Sequence, residues 1–167
     1  MALFRLTHHV VQKAHRLGVG TLTALALSTW SPAQADTVTT ADGAQISTTV
    51  TESTSGARFQ ISITPSAAEA ESTQKIYYAV ALPSGLMLFY GRSGWTPWTP
   101  GSALPALYEH AQTECRQGAS FGYHVDVPPL SQLVQLGLRG ARFYAGYGDT
   151  EADLLGRQKY ALIYTVR

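Results

Sequence analysis

The sequence predicts an all-β protein: an antiparallel β-sandwich, immunoglobulin-like in architecture, with one or two short helical turns. Three observations predict it. Apolar residues recur at period two through roughly seven segments of about five to eight residues. Gly, Pro, Ser and Asp cluster between those segments, where turns are needed. No stretch sustains the 3.6-residue period of a long amphipathic helix. A small barrel is the alternative closure. The single cysteine rules out the Cys…Trp…Cys framework of an antibody-type domain.

The first thirty-five residues read as a secretory signal peptide. Arg5, Lys13 and Arg16 form a basic start, Leu17 to Trp30 is apolar and uncharged, and SPAQA supplies Ala33 and Ala35 before Asp36. Fourteen apolar residues are too few for a membrane span, which needs roughly 20. The expected mature chain, 36–167, is one β-sandwich domain with no membrane span. It holds nine basic and eleven acidic side chains, a net charge of −2. That balance gives no footprint for nucleic acid and no polybasic stretch for anionic lipid. The compartment expected is periplasmic or extracellular. Cys115 has no internal partner for a disulfide, so packing alone must hold the fold.

Within the domain, QISTTVTE (Gln45–Glu52) puts Ile46, Thr48 and Val50 on one face and reads as a half-exposed edge strand. ARFQISIT sends Phe59, Ile61 and Ile63 inward, and Pro65 ends it. SAAEAEST is a polar connection. KIYYAVALP is apolar on both faces, with Ile76, Tyr78, Val80 and Leu82 on one and Tyr77, Ala79 and Ala81 on the other, as in a strand covered on both sides. PSG turns the chain into GLMLFYG, completing the clearest hairpin. ALPALYEHAQ (103–112) is expected to be a short helix with Pro105 in its first turn. ASFGYHVDVPP returns to period two, with Phe121, Tyr123, Val125 and Val127 inward and His124 and Asp126 outward. In LSQLVQLGLRG the leucines at 130, 133 and 136 have helical spacing, but Gly137 and Gly140 interrupt it. ARFYAGYG is a strand with Phe143, Ala145 and Tyr147 on one face. GDTEADLLGR is a connector with a helical turn, Thr150 as its cap and Asp153 three residues on. KYALIYTVR closes the chain with alternation of Tyr160, Leu162, Tyr164 and Val166 against Ala161, Ile163 and Thr165.

The stretch GRSGWTPWTPGSALPAL (91–107) holds two indoles. In a proline-stiffened extended segment, Trp95 and Trp98 would emerge on similar sides, since polyproline repeats every three residues. Side by side they could stack on a sugar or an apolar peptide. Equally, large aromatics stabilise a core, and at least one ring is expected to fold over the sandwich as a lid. Trp95, following Gly94, is the expected lid and Trp98 the exposed ring. Trp98, Trp95 and Tyr90 are the candidate binding residues.

The elements FYGRSGW, ARFYAGYG and KYALIYTV, spread over Lys75–Arg167, resemble those of small β-domains of uncharacterised exported proteins of Gram-negative bacteria. The resemblance implies an exported β-domain and assigns no functional residue.

No catalytic, metal or cofactor signature stands out. Cys115 with His110 or His124 could form a nucleophile–base pair, the basis of the alternative reading as a small periplasmic hydrolase. His124 and Asp126 share a strand face, and His110 and Glu114 would share a helical one, which is a zinc-like donor set. The polar outer face of a strand explains the first pair more simply. Asp149, Glu151 and Asp153 lack the order of a calcium loop and suit a capped, solvated turn. The expectation is therefore a non-enzymatic binding module of the envelope or surface, without cofactor or metal, whose partner is an envelope or appendage protein or a glycan. Gln45–Glu52, as an edge, could accept a partner strand.

Overall fold

The computed structural model describes residues 34–69, 73–106, 108–114 and 120–167. Ten strands run in order: β1 Gln34–Thr39, β2 Gln45–Ser53, β3 Gly56–Thr64, β4 Thr73–Ala81, β5 Met87–Gly91, β6 Gly94–Trp98, β7 Tyr108–Glu114, β8 Phe121–Val127, β9 Arg142–Gly148 and β10 Tyr160–Thr165. One helix, α1 Leu130–Gln135, joins β8 to β9, and a π-helical turn, Ala152–Gly156, joins β9 to β10. The strands form two antiparallel sheets. The smaller has the order β1-β2-β3-β8; the larger has β10-β9-β4-β5-β6, with β7 joined to β4. The neighbours β3–β8 and β10-β9-β4-β5-β6 correspond to the B–E and G-F-C-C′-C″ arrangement of a variable-type immunoglobulin sandwich.

Period two decides what is buried. Phe59, Ile61 and Ile63 from β3, Phe121, Tyr123, Val125 and Val127 from β8, and Phe143, Ala145 and Tyr147 from β9 all face inward and form the main core with Ile76, Tyr78 and Val80 of β4. Their alternate neighbours Arg58, Gln60, His124 and Asp126 are exposed, and Arg58 clasps Asp126 through two bonds of 2.7 and 2.9 Å. β4 is buried on both faces, as its double-sided pattern requires. The end of α1 explains the interrupted leucine pattern. Gly137, at φ 78°, sends its N–H to Val134, and Leu138 sends its own to Leu133, so the helix stops in a Schellman turn. At the other end, the Leu130 N–H donates to Glu52 Oε1 at 2.9 Å.

Three expectations are corrected. Gln45–Glu52 is not an edge: β1 pairs along one side of β2 and β3 along the other. β1, Gln34–Thr39, lies in a Thr- and Ala-rich run that shows no apolar alternation; residues 1–33 of the expected signal peptide lie outside the described residues. The expected helix at 103–112 is absent. Its second half is β7, pairing with Thr73–Ile76 of β4 on the edge that β5 uses at Ala79–Ala81. An unpaired length of a central strand satisfies more backbone groups than an isolated helical turn, so tertiary pairing overrides local propensity. The two tryptophans also depart from the shared side expected of them, since their segment is a strand paired with β5.

Candidate functional site

The outer faces of the two sheets differ in kind. The smaller sheet turns Arg58, Gln60, Gly122, His124 and Asp126 to solvent. The larger sheet turns out Tyr77 and Ala79 from β4, Met87 and Phe89 from β5, Trp98 from β6, and Tyr144 from β9. All of these but Tyr144 form a second apolar cluster with Leu104 and Ala106 from the loop after β6, and with Leu154 and Leu155 from the turn after β9. The cover is incomplete. A groove of about 160 Å³ remains, bounded by Tyr77, Met87, Phe89, Tyr144, Leu155 and Tyr160. Among the described residues its lining holds no carboxylate, side-chain amide or guanidinium.

Two glycines set the height of one wall. An added Cβ at Gly146 would come within 2.7 Å of the Lys159 carbonyl oxygen and of Leu154 Cδ1. At Gly148 it would stand 3.0 Å from the Leu154 amide nitrogen. The Gly146-Tyr147-Gly148 run thus leaves bare backbone on its outer side, and the helical turn lies directly on it. Gly146→Ala is expected to lift that turn, cost about 1–3 kcal/mol as an overpacked contact, and widen the groove. Thermal melting and a co-crystal or chemical-shift map would check both.

The turn is held by charge. Lys159 is fully buried, and its Nζ lies 2.8 Å from Glu69 Oε1 and 2.8 Å from Asp153 Oδ1. It also sits 5.2 Å from the centre of the Tyr147 ring. Arg157 reaches Glu69 at 3.3 Å from the solvent side. Burial works against the Lys159 charge, but hydrogen bonds to Asp153 and Glu69 outweigh it and hold the ammonium above its ordinary value. Burial likewise pushes the Asp153 carboxyl up, and its bonds from Lys159 and the Asp149 N–H outweigh that and hold it low. The Asp153 N–H donates to Thr150 Oγ1 at 3.1 Å, the cap expected at that turn. Tyr147, raised by burial and then by Asp42, stays neutral and donates to Asp42 Oδ2 at 2.7 Å, tying the β1–β2 turn to the larger sheet. Tyr77, on the groove wall, is pushed up to about 12 by burial and by the nearby Asp149 and Asp153 charges. Tyr77 therefore meets the groove as a neutral phenol at neutral pH.

The three candidate binding residues do not share one face. Residues 94–98 form β6, paired in register with β5. A strand alternates every two residues, so Trp95 and Trp98, three apart, take opposite faces, and the shared side expected from polyproline geometry is overturned. Trp95 and Tyr90 are cross-strand partners on the inner face, their rings 5.1 Å apart, with Trp95 5.4 Å from Tyr78. Trp98 is on the outer face, 5.6 Å from Phe89, and its Nε1 donates to the Ser102 carbonyl at 3.0 Å. Both indoles are half-buried, so neither is a free platform. Trp95→Ala is expected to cost about 2–3 kcal/mol, below the full-burial range, and Trp98→Ala less. Denaturant melts would rank them, and acrylamide should quench both indoles only partly in the wild type.

Tyr144, Tyr160, Met87 and Leu155 were missed as site residues. The available signal was β4 itself: a strand apolar on both faces needs a second cover, and whatever leaves that cover incomplete is a groove.

The other constellations are dispersed. His124 stands on the outer face of the smaller sheet, whereas β7, which carries His110 and Glu114, belongs to the larger. In a strand, residues four apart lie about 13 Å apart along the chain rather than on adjacent helical turns. Cys115 lies outside the described residues. Among the described residues no three His, Cys, Asp or Glu side chains gather as a metal site, and no helix is long and apolar enough to cross a membrane.

No family model matches the chain, and no curated protein or solved structure matches it.

Proposed function

We propose that this protein is an exported, non-enzymatic binding module of the bacterial envelope or surface, and that it engages a partner protein through the outer face of its larger sheet. The carrying observation is the aromatic groove at Tyr77, Phe89, Tyr144 and Tyr160, on a face that a solvated sandwich would have made polar. Its size suits one apolar side chain, the anchor around which protein interfaces are organised. A sugar site would add amide, carboxylate or guanidinium groups beside the rings to meet the hydroxyls, and among the described residues the polar side chains of the lining are phenols. The basic start, apolar run and SPAQA of residues 1–35 support the export part of this reading.

Selection of a displayed random-peptide library on the purified protein, alongside a glycan array, tests the reading. Enriched peptides should share an aromatic or branched aliphatic anchor. Tyr144→Ala should weaken them about ten-fold or more, the effect of removing a hot-spot contact, with an unchanged melt. Glycan binding without peptide enrichment would overturn the choice of partner.

A further inference from the structure

We propose that the open edge of β10 receives an extended segment of a partner protein, one with alternating apolar residues and an acidic residue at the end that lies beside Arg142 and Arg167. This rests on the binding reading above and adds the partner's conformation and charge.

β10 ends the order of the larger sheet and pairs only with β9 among the described strands. The Tyr147 N–H bonds to the Lys159 carbonyl at 3.1 Å, and antiparallel pairing alternates from there. Lys159 and Ala161 therefore face β9, while the main-chain groups of Tyr160 and Leu162 point to the open side. Those two residues are also large apolar side chains left 38% and 43% exposed. Such an edge is a template for another strand.

An added strand would find a place for both of its faces. Alternate side chains would lie outside, against Tyr160 and Leu162 and next to the aromatic groove. The others would enter a second hollow, about 180 Å³, along the edge itself, which Leu162, Ile163 and Tyr164 line together with Val50, Asp36 and Arg167. This hollow lies between β10 and the β1–β2 side of the smaller sheet, where the sandwich is open.

Charge distinguishes the two ends of the edge. Thr165 pairs with Arg142, and the Gly140 N–H donates to the Val166 carbonyl, so Arg139, Arg142 and Arg167 collect at the end of β10. All three are exposed and none has an ion pair among the described residues. A carboxylate on the incoming segment would complete them. Main-chain pairing supplies affinity and the side-chain hollows supply selectivity, as in strand addition generally.

The test uses a displayed library of random ten-residue peptides, with dissociation constants from fluorescence anisotropy. Enriched sequences should alternate apolar residues and carry Asp or Glu near one end. Methylating the backbone nitrogens of one alternate set of residues should weaken binding about ten-fold or more, and methylating the other set little. This arm leaves the protein unaltered. Leu162→Pro should match the harmful set, with circular dichroism confirming the fold, and Arg142→Ser with Arg167→Ser should flatten the salt dependence. Peptides that tolerate methylation throughout, yet are lost in Tyr144→Ala, would overturn strand addition while leaving the groove reading intact. Sedimentation showing a dimer that Leu162→Pro dissociates would mean a second copy occupies the edge, which also overturns the proposal. No enrichment at all would overturn both readings.

Discussion

Lys159→Met is expected to destabilise the fold by about 3–5 kcal/mol at neutral pH, the cost of breaking a buried ion pair by removing one partner. Methionine keeps most of the volume, so the loss isolates charge from packing. The ammonium is fully buried between Glu69 and Asp153, whose side chains are only 11% and 15% exposed. Without it, two carboxylates share a poorly solvated site. Arg157 can relieve part of that from the solvent side, placing the effect toward the lower end.

The pH dependence identifies the cause. In the wild type Asp153 is held below its ordinary value, so its contribution is complete above about pH 4 and is lost as pH falls through the folded value. Lys159 is held above its ordinary value, so its contribution is complete at neutral pH and is lost only as strongly alkaline pH crosses the folded value. In the variant, burial and the neighbouring Glu69 charge push the Asp153 carboxyl up instead. Acid then relieves the variant while it weakens the wild type. Urea melts at several pH values should show the gap narrowing between about pH 6 and pH 4. A constant gap would mean that packing, not charge, carries the loss.

Phe59→Ala is expected to cost about 3–5 kcal/mol, the range for a fully buried aromatic truncated to alanine. Phe59 has no exposed surface and stands in β3, facing the larger sheet. Its ring centre lies 5.3 Å from Phe143, 5.5 Å from Tyr164 and 6.2 Å from Tyr78, so it joins the smaller sheet to the aromatic layer of the larger. Neighbours held in the strands of a sheet cannot collapse far into the void, which keeps the cavity and its cost. With no internal disulfide available to a chain holding one cysteine, this layer is where the two sheets are joined. Guanidinium melts would measure the loss. A cost below about 1.5 kcal/mol, typical of volume-conserving swaps rather than cavities, would show that the layer repacks.

The inner face of the sandwich was legible in the sequence because burial there is local and periodic. Phe59, Ile61 and Ile63, or Phe121, Tyr123 and Val125, announce a buried face by period two alone. The double-sided apolar pattern of KIYYAVAL marked β4 as central. The turn residues marked most hairpins, and Thr150 marked its cap. These features depend on neighbours one to four residues away, which a sequence displays directly.

What only the tertiary structure decided depends on partners distant in the chain. Tyr108–Glu114 is a strand because Thr73–Ile76 offers it an edge, and its own residues favour a helix no less. Gln45–Glu52 is interior because β1 covers it, and β1 has no apolar pattern to announce itself. Trp95 and Trp98 part company because β5 forces their segment into a ladder, where residues three apart cannot share a face. Lys159 appears as an ordinary surface charge until Glu69, ninety residues earlier, closes over it. The groove has the same origin: its walls come from four strands and one turn, and only the packing of Leu154 onto the bare backbone of Gly146 and Gly148 brings them around one space.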